Sequence, residues 1–195
     1  YVERNEAEIK SIPGVMVTVL NRQKSEIIRL LESCASFDAA PLELPSRRVY
    51  TPLSISQFEG RRRAYVKIQD GCNHACSFCK VVLVRGPSRS RALEEIVDEA
   101  KRLTRHGYRE IVLTGIQLGA YGYDLEKRQM LPELLKRLCQ IPGIGRIRLS
   151  SIEPTDVTDE LIDAMASGEP VCPHLHIPLQ SGSDLLLERM NRRYD

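Results

Sequence analysis

Cys72, Cys76 and Cys79 stand as C-x3-C-x2-C within Gly71-Cys72-Asn73-His74-Ala75-Cys76-Ser77-Phe78-Cys79, directly after an apolar, strand-like run. Half of the chain's six cysteines fall within these eight positions. Thiolates this close on one loop can face a common centre, and soft sulfur ligands select iron–sulfur clusters, zinc or copper(I). A structural zinc is closed by four Cys or His ligands, usually in two pairs. The other candidates here, His74 inside the loop and the distant Cys139, Cys172, His174 and His176, do not fall at a second-pair spacing. A four-iron cluster usually takes four cysteines, so three would leave one iron open to a substrate or cofactor. A zinc-stabilised RNA-binding module with His74 as fourth ligand stays open as the alternative.

C-x3-C-x2-C with Phe78 before the last cysteine resembles the cluster loop of the radical S-adenosylmethionine (SAM) enzymes. Four further blocks resemble their methylthiotransferase branch: Val84-Arg85-Gly86-Pro87-Ser88-Arg89-Ser90-Arg91; Ile111-Val112-Leu113-Thr114-Gly115-Ile116-Gln117-Leu118-Gly119 with Tyr121-Gly122-Tyr123-Asp124; Arg146-Ile147-Arg148-Leu149-Ser150-Ser151-Ile152-Glu153-Pro154; and His174-Leu175-His176-Ile177-Pro178-Leu179-Gln180-Ser181-Gly182-Ser183. Within that branch the chain is most similar to the MtaB type, the tRNA threonylcarbamoyladenosine methylthiotransferases. Other branches act on isopentenyladenosine in tRNA or on a ribosomal protein.

The resemblance implies that Cys72, Cys76 and Cys79 hold three irons of a [4Fe-4S] cluster and that SAM chelates the fourth. Reductive cleavage of SAM would give a 5′-deoxyadenosyl radical, which abstracts hydrogen from carbon 2 of the adenine at position 37, beside the tRNA anticodon. Sulfur would come from a second [4Fe-4S] cluster, whose ligands are expected before Tyr1, and a methyl group from a second SAM. The electron donor would be of the flavodoxin or ferredoxin kind. By position, Gly115 and Gln117 correspond to the segment that meets the SAM amino group, and Ser151, Glu153, Gln180 and Ser181 to candidates for its ribose and carboxylate. Thr114-Gly115-Ile116-Gln117 stands where the superfamily often has Gly-Gly-Glu, and Lys80 and Val82 where the branch usually has an apolar residue and a proline.

Bulk properties bound the reading. Lys and Arg total 28 against 26 Asp and Glu, so net charge decides nothing about nucleic acid. Arg47-Arg48, Arg61-Arg62-Arg63, Lys80, Arg85, Arg89 and Arg91 flank the cysteine loop; they could neutralise phosphates or form a solvated surface. No apolar run reaches the roughly 18 residues of a transmembrane helix, and six cysteines without a secretory leader favour metal ligation over disulfides. The expectation is a cytoplasmic protein without membrane contact, and a fragment of a longer chain.

The elements that must position the loop follow from periodicity. Residues 1–34 carry a helix-compatible start, a turn at Pro13-Gly14, a β-branched run over 15–20 that predicts a buried strand, and helical spacing over 25–32. They resemble the βα tail of an N-terminal methylthiotransferase domain. Residues 35–63, with Pro41, Pro45 and Pro52 and no sustained period, read as linker. From residue 64 strands and helices alternate: strands over 64–70, 109–114, 145–151 and 172–179; helices over 92–106, 131–140, 158–166 (N-capped by Thr155 or Asp156) and 184–190. Repeated βα units predict an α/β fold with a parallel sheet. The resemblance makes it a partial (β/α)6 radical SAM barrel over 64–195, incomplete at its C-terminus. Functional loops in such folds follow the C-terminal ends of the strands, where all the quoted blocks fall. His174 and His176 alternate on the fourth strand, with inward packing favoured over metal ligation, and Cys34, Cys139 and Cys172 read as small apolar or linker residues.

Overall fold

The computed structural model describes residues 2–35, 62–128, 130–167 and 169–195. The first stretch holds helices α1 (Val2–Lys10) and α2 (Ile27–Ala35), with a turn at Pro13-Gly14 and a 3₁₀ turn over Asn21–Glu26. The strand expected over 15–20 does not form. Thr18 and Leu20 are buried and Met16 is exposed, but no described residue pairs with the segment. β-branched residues favour extended backbone, yet a strand exists only where a neighbour takes its N–H and C=O groups. The expected linker lies almost wholly outside the described residues, as does the Cys34 side chain.

The second stretch builds one layer of parallel sheet under helices. In chain order it holds β1 (Arg63–Lys67), β2 (Gln69–Asp70), α3 (Val81–Arg85), β3 (Arg89–Ser90), α4 (Leu93–Arg105), β4 (Glu110–Thr114), α5 (Leu131–Cys139), β5 (Arg146–Leu149), α6 (Asp159–Ala166) and α7 (Asp184–Arg189). The sheet order is β1-β4-β5, with Ala64 beside Ile111 and Ile111 beside Ile147. Helix α4 buries Leu93, Ile96, Val97, Ala100 and Leu103, one stripe at helical spacing. It joins Leu134, Leu135 and Leu138 of α5 and Leu161 and Ala164 of α6 over the sheet residues Val66, Ile111, Leu113, Ile147 and Leu149. Helix α6 is capped by Thr158, whose hydroxyl accepts from the Leu161 N–H at 3.3 Å. The expected caps Thr155 and Asp156 instead lie in a separate 3₁₀ turn, Pro154–Asp156.

Two expected strands are altered. Residues 64–70 break at Ile68: β1 pairs with β4, while β2 pairs antiparallel with β3. Ile68 serves both sides, donating to Thr114 O at 2.9 Å and accepting from the Arg91 N–H at 2.8 Å. The small β2–β3 ladder, absent from the sequence reading, brings together both ends of the cysteine loop. The fourth strand is only bridged, to β5 at Ile147–Val171 and beyond its end at Ser151–His176. Pro170 and Pro173 have no N–H to extend a ladder. The result is a parallel α/β sheet consistent with part of a barrel. Among the described residues no helix is long and apolar enough to cross a membrane.

Candidate metal and cofactor site

The cysteine loop leaves β2 through Gly71, whose φ of +75° places it in the left-handed region. A Cβ there would stand 2.0 Å from Pro87 O, so the loop's entry and exit touch at backbone distance and only glycine fits. Beside it, buried Gln69 links two site loops. Its Oε1 accepts from the Ile116 and Gln117 N–H groups, each at 2.9 Å, and its Nε2 donates to Gly71 O at 2.7 Å and Ser88 Oγ at 2.8 Å. Asp70 ties down the exit side: its carboxylate accepts from the Gly71 N–H, Lys67 Nζ and Arg85 Nη1 at 2.9, 2.7 and 3.0 Å. Burial alone would raise the Asp70 pKa, but Lys67, Arg85 and the Gly71 N–H outweigh it and hold the carboxyl below its ordinary value.

The three half-buried sulfurs each have an N–H nearby. His74 N–H lies 3.3 Å from Cys72 Sγ, Val81 N–H 3.5 Å from Cys79 Sγ, and Arg192 Nη1 3.2 Å from Cys76 Sγ. Cys72 Sγ also lies 3.4 Å from Gln117 Oε1. Burial pushes the Cys72 thiol up; Cys76, Cys79 and Glu153 push it the same way, against the His74 N–H. N–H groups aimed at sulfur are the surroundings of cluster thiolates. Among the described residues no group of three or more His, Cys, Asp or Glu side chains is arranged to hold a single metal ion. His74, the fourth ligand of the zinc alternative, instead has Nε2 2.8 Å from Gln117 Nε2.

The remaining expected site residues divide. Gln117 is buried against the cysteine loop, and Gly115 packs on Gln69, its absent Cβ 2.9 Å from Gln69 Oε1. Ser151 is exposed, its Oγ 2.8 Å from His176 Nδ1. Gln180 is exposed with φ of +67°, and Ser181 Oγ accepts from the Ser183 N–H at 3.1 Å. Glu153 pairs with Arg192. His174 and His176 are exposed, against the expected inward packing, because their segment is the sheet's outer edge. Cys172 is buried and Cys139 packs against the core, as small apolar residues do. Of the described basic residues, three are spent internally: Arg91 is buried on Glu99, and Arg85 and Arg89 face Asp70.

Sequence reading missed Arg192 and Asp156. Asp156 packs on Gly119, beside a cavity of about 330 Å³ that His74, Asn73, Tyr123 and Arg193 also line. Its Oδ2 is buried without a hydrogen-bond partner, and burial pushes its carboxyl up, Glu153 further, against His74 and Gln117. A carboxyl with a raised folded pKa costs stability once it ionises, and the cost disappears as pH falls through that pKa. Asp156→Asn is therefore expected to be more stable to urea than the wild type at pH 7, with the gain shrinking in acid. Equal stability of the two proteins at pH 7 would refute it.

The sequence pattern of the radical SAM superfamily matches residues 66–195. The chain belongs to this superfamily. Membership implies a [4Fe-4S] cluster and SAM, and the donor set described above fits them. Across its whole length the chain is 38% identical to the threonylcarbamoyladenosine tRNA methylthiotransferase MtaB of Bacillus subtilis (strain 168) and 40% identical to that of Thermotoga maritima, covering 44% of each relative. Over 68% of its length it is 45% identical to the tRNA-2-methylthio-N(6)-dimethylallyladenosine synthase of Clostridium botulinum (strain Okra / Type B1), covering 30% of that protein. The chain thus spans less than half of the curated relatives it matches. Among solved structures, the radical SAM methyltransferase TsrM of Kitasatospora setae has a TM-score of 0.52 over 68% of this chain and 26% of its own, at 18% identity. That similarity supports the radical SAM fold.

Proposed function

We propose that the protein carrying this chain is a radical SAM transferase that converts N6-threonylcarbamoyladenosine at position 37 of tRNA to its 2-methylthio derivative. The observation that carries the substrate is alignment with the MtaB enzymes across the entire chain, residues before the cysteine loop included. In this reading residues 1–34 end an N-terminal methylthiotransferase domain, 35–63 link, and 64–195 form the radical SAM core. A second [4Fe-4S] cluster in the full-length protein, an electron donor such as flavodoxin or ferredoxin, the anticodon loop as docking partner and a cytoplasmic location belong to the same proposal.

Cys72, Cys76 and Cys79 would hold the cluster, and the backbone and Arg192 N–H groups steady their sulfurs. When bound, the cluster and SAM supply the radical chemistry. Gln69 keeps the Gly115–Gln117 backbone against the cysteine loop, and Gly115 and Gln117 would be the residues that meet the SAM amino group. Ser151, Glu153, Gln180 and Ser181 would be the candidates for its ribose and carboxylate, Glu153 being held by its pair with Arg192. A single-stranded loop base can be splayed out and read at such a site.

The 45% identity to a dimethylallyladenosine enzyme over the core supports a second reading with the same chemistry on another adenine. Nucleoside mass spectrometry of tRNA from a deletion strain separates them. Loss of the 2-methylthio-threonylcarbamoyl nucleoside, restored by the full-length gene and not by its Cys76→Ala variant, is the expected result. Loss of 2-methylthio-dimethylallyladenosine in its place would refute the substrate assignment.

A further inference from the structure

The segment closing this chain is bound to the cysteine loop. Ser77 N–H donates to Met190 O at 3.1 Å, Ser77 Oγ to Arg189 O at 3.0 Å, and Asn191 Nδ2 to Ala75 O at 2.7 Å. Next comes Arg192, a cation with only 5% of its side chain exposed. Its Nη1 points at Cys76 Sγ, its Nη2 at Glu153, and its Nε at Tyr194 Oη, with the Tyr194 ring 5.1 Å from the guanidinium carbon. The Tyr194 hydroxyl is itself fixed, donating to Leu179 O at 3.0 Å. A buried cation normally spends its donors on oxygen. Arg192 instead directs one at a sulfur, and Glu153, just before the Pro154–Asp156 turn, fixes its orientation.

We propose that Arg192 is a positioning residue that sets the reduction potential of the cluster through Cys76, with Glu153 as its counterweight. This rests on Cys76 being a cluster ligand. Reduction adds one electron to the cluster, and part of that charge falls on the sulfurs. A cationic N–H donor binds the more negative state more tightly, so Arg192 favours the reduced form and raises the potential. Glu153 offsets part of that positive charge. The two residues therefore act with opposite sign on the potential, although losing either would loosen the same contact.

The test is a redox titration of the anaerobically reconstituted full-length protein, with dithionite as electron source. It follows the reduced-cluster paramagnetic signal that is absent from the Cys76→Ala variant. Arg192→Gln is expected to lower the reduced-to-oxidised ratio at a fixed potential by about tenfold, a negative shift of about 59 mV for a one-electron couple. Glu153→Gln is expected to shift it the other way, and Arg192→Lys to lie between wild type and Arg192→Gln. If Arg192→Gln does not load iron, the Glu153→Gln shift decides alone. Unchanged potentials, or both glutamine variants shifting in one direction, would overturn the inference while leaving the cluster assignment intact. Absence of any Cys76-dependent cluster in the wild type would overturn both.

Discussion

Gly71→Ala is expected to unfold the cysteine loop and abolish iron incorporation. The new methyl would sit 2.0 Å from Pro87 O and 2.7 Å from Gly86 O, and neither atom is the tip of a movable side chain. Gly86 O accepts the Cys72 N–H at 3.1 Å, so moving it also releases the first cysteine. The φ of +75° adds a conformational cost for any L residue. Strain of this kind costs about 3 kcal/mol or more when a backbone must shift. Urea denaturation and iron counting after reconstitution check it. Wild-type iron content in Gly71→Ala would show that the loop's two ends need not touch.

The second large effect is expected at Gln69. Gln69→Leu keeps the volume but leaves the part-buried Ile116 N–H and the buried Gln117 N–H without their acceptor. An unsatisfied buried donor costs about 1–3 kcal/mol, so the Gln117 N–H alone predicts a loss of about that size in equilibrium unfolding, to which the part-buried Ile116 N–H adds less. Gln69→Glu keeps an acceptor for those N–H groups but loses the amide donors to Gly71 O and Ser88 Oγ. It should fall between wild type and Gln69→Leu. A Gln69→Leu protein of wild-type stability would mean that the two loops hold together without the amide.

The contrast between these two residues shows what could be read from the chain alone. The cysteine loop was legible because three thiols in eight positions have few other uses, and helices α4 and α5 because their apolar stripes are complete. The βα alternation was enough to place the loops after β4 and β5 at one end of a parallel sheet. Gln69 was invisible, since a glutamine in an alternating run reads as an outward-facing strand residue. Only the break at Ile68, where the chain leaves one ladder for another, turns it inward. Val15–Leu20 misled for the converse reason: local propensity was right, but pairing depends on a partner that sequence periodicity does not supply. Arg192 and Asp156 carried no local signal, because each acquires its role from residues far away in sequence: Cys76 and Glu153 for the first, His74 and Gly119 for the second. Arg91 misled in the same way, as a basic residue beside a functional loop that turns out to pair inward with Glu99.

The central claim is that Cys72, Cys76 and Cys79 hold one [4Fe-4S] cluster with an iron free for SAM. Anaerobic reconstitution of the full-length protein with iron and sulfide, followed by iron counting and electron paramagnetic resonance with and without SAM, tests it most directly. The account predicts that the Cys72→Ala, Cys76→Ala and Cys79→Ala variants each lose about four irons relative to wild type, together with a reduced-state signal that changes when SAM is added. Unchanged iron content in these variants, or a signal indifferent to SAM, would contradict it.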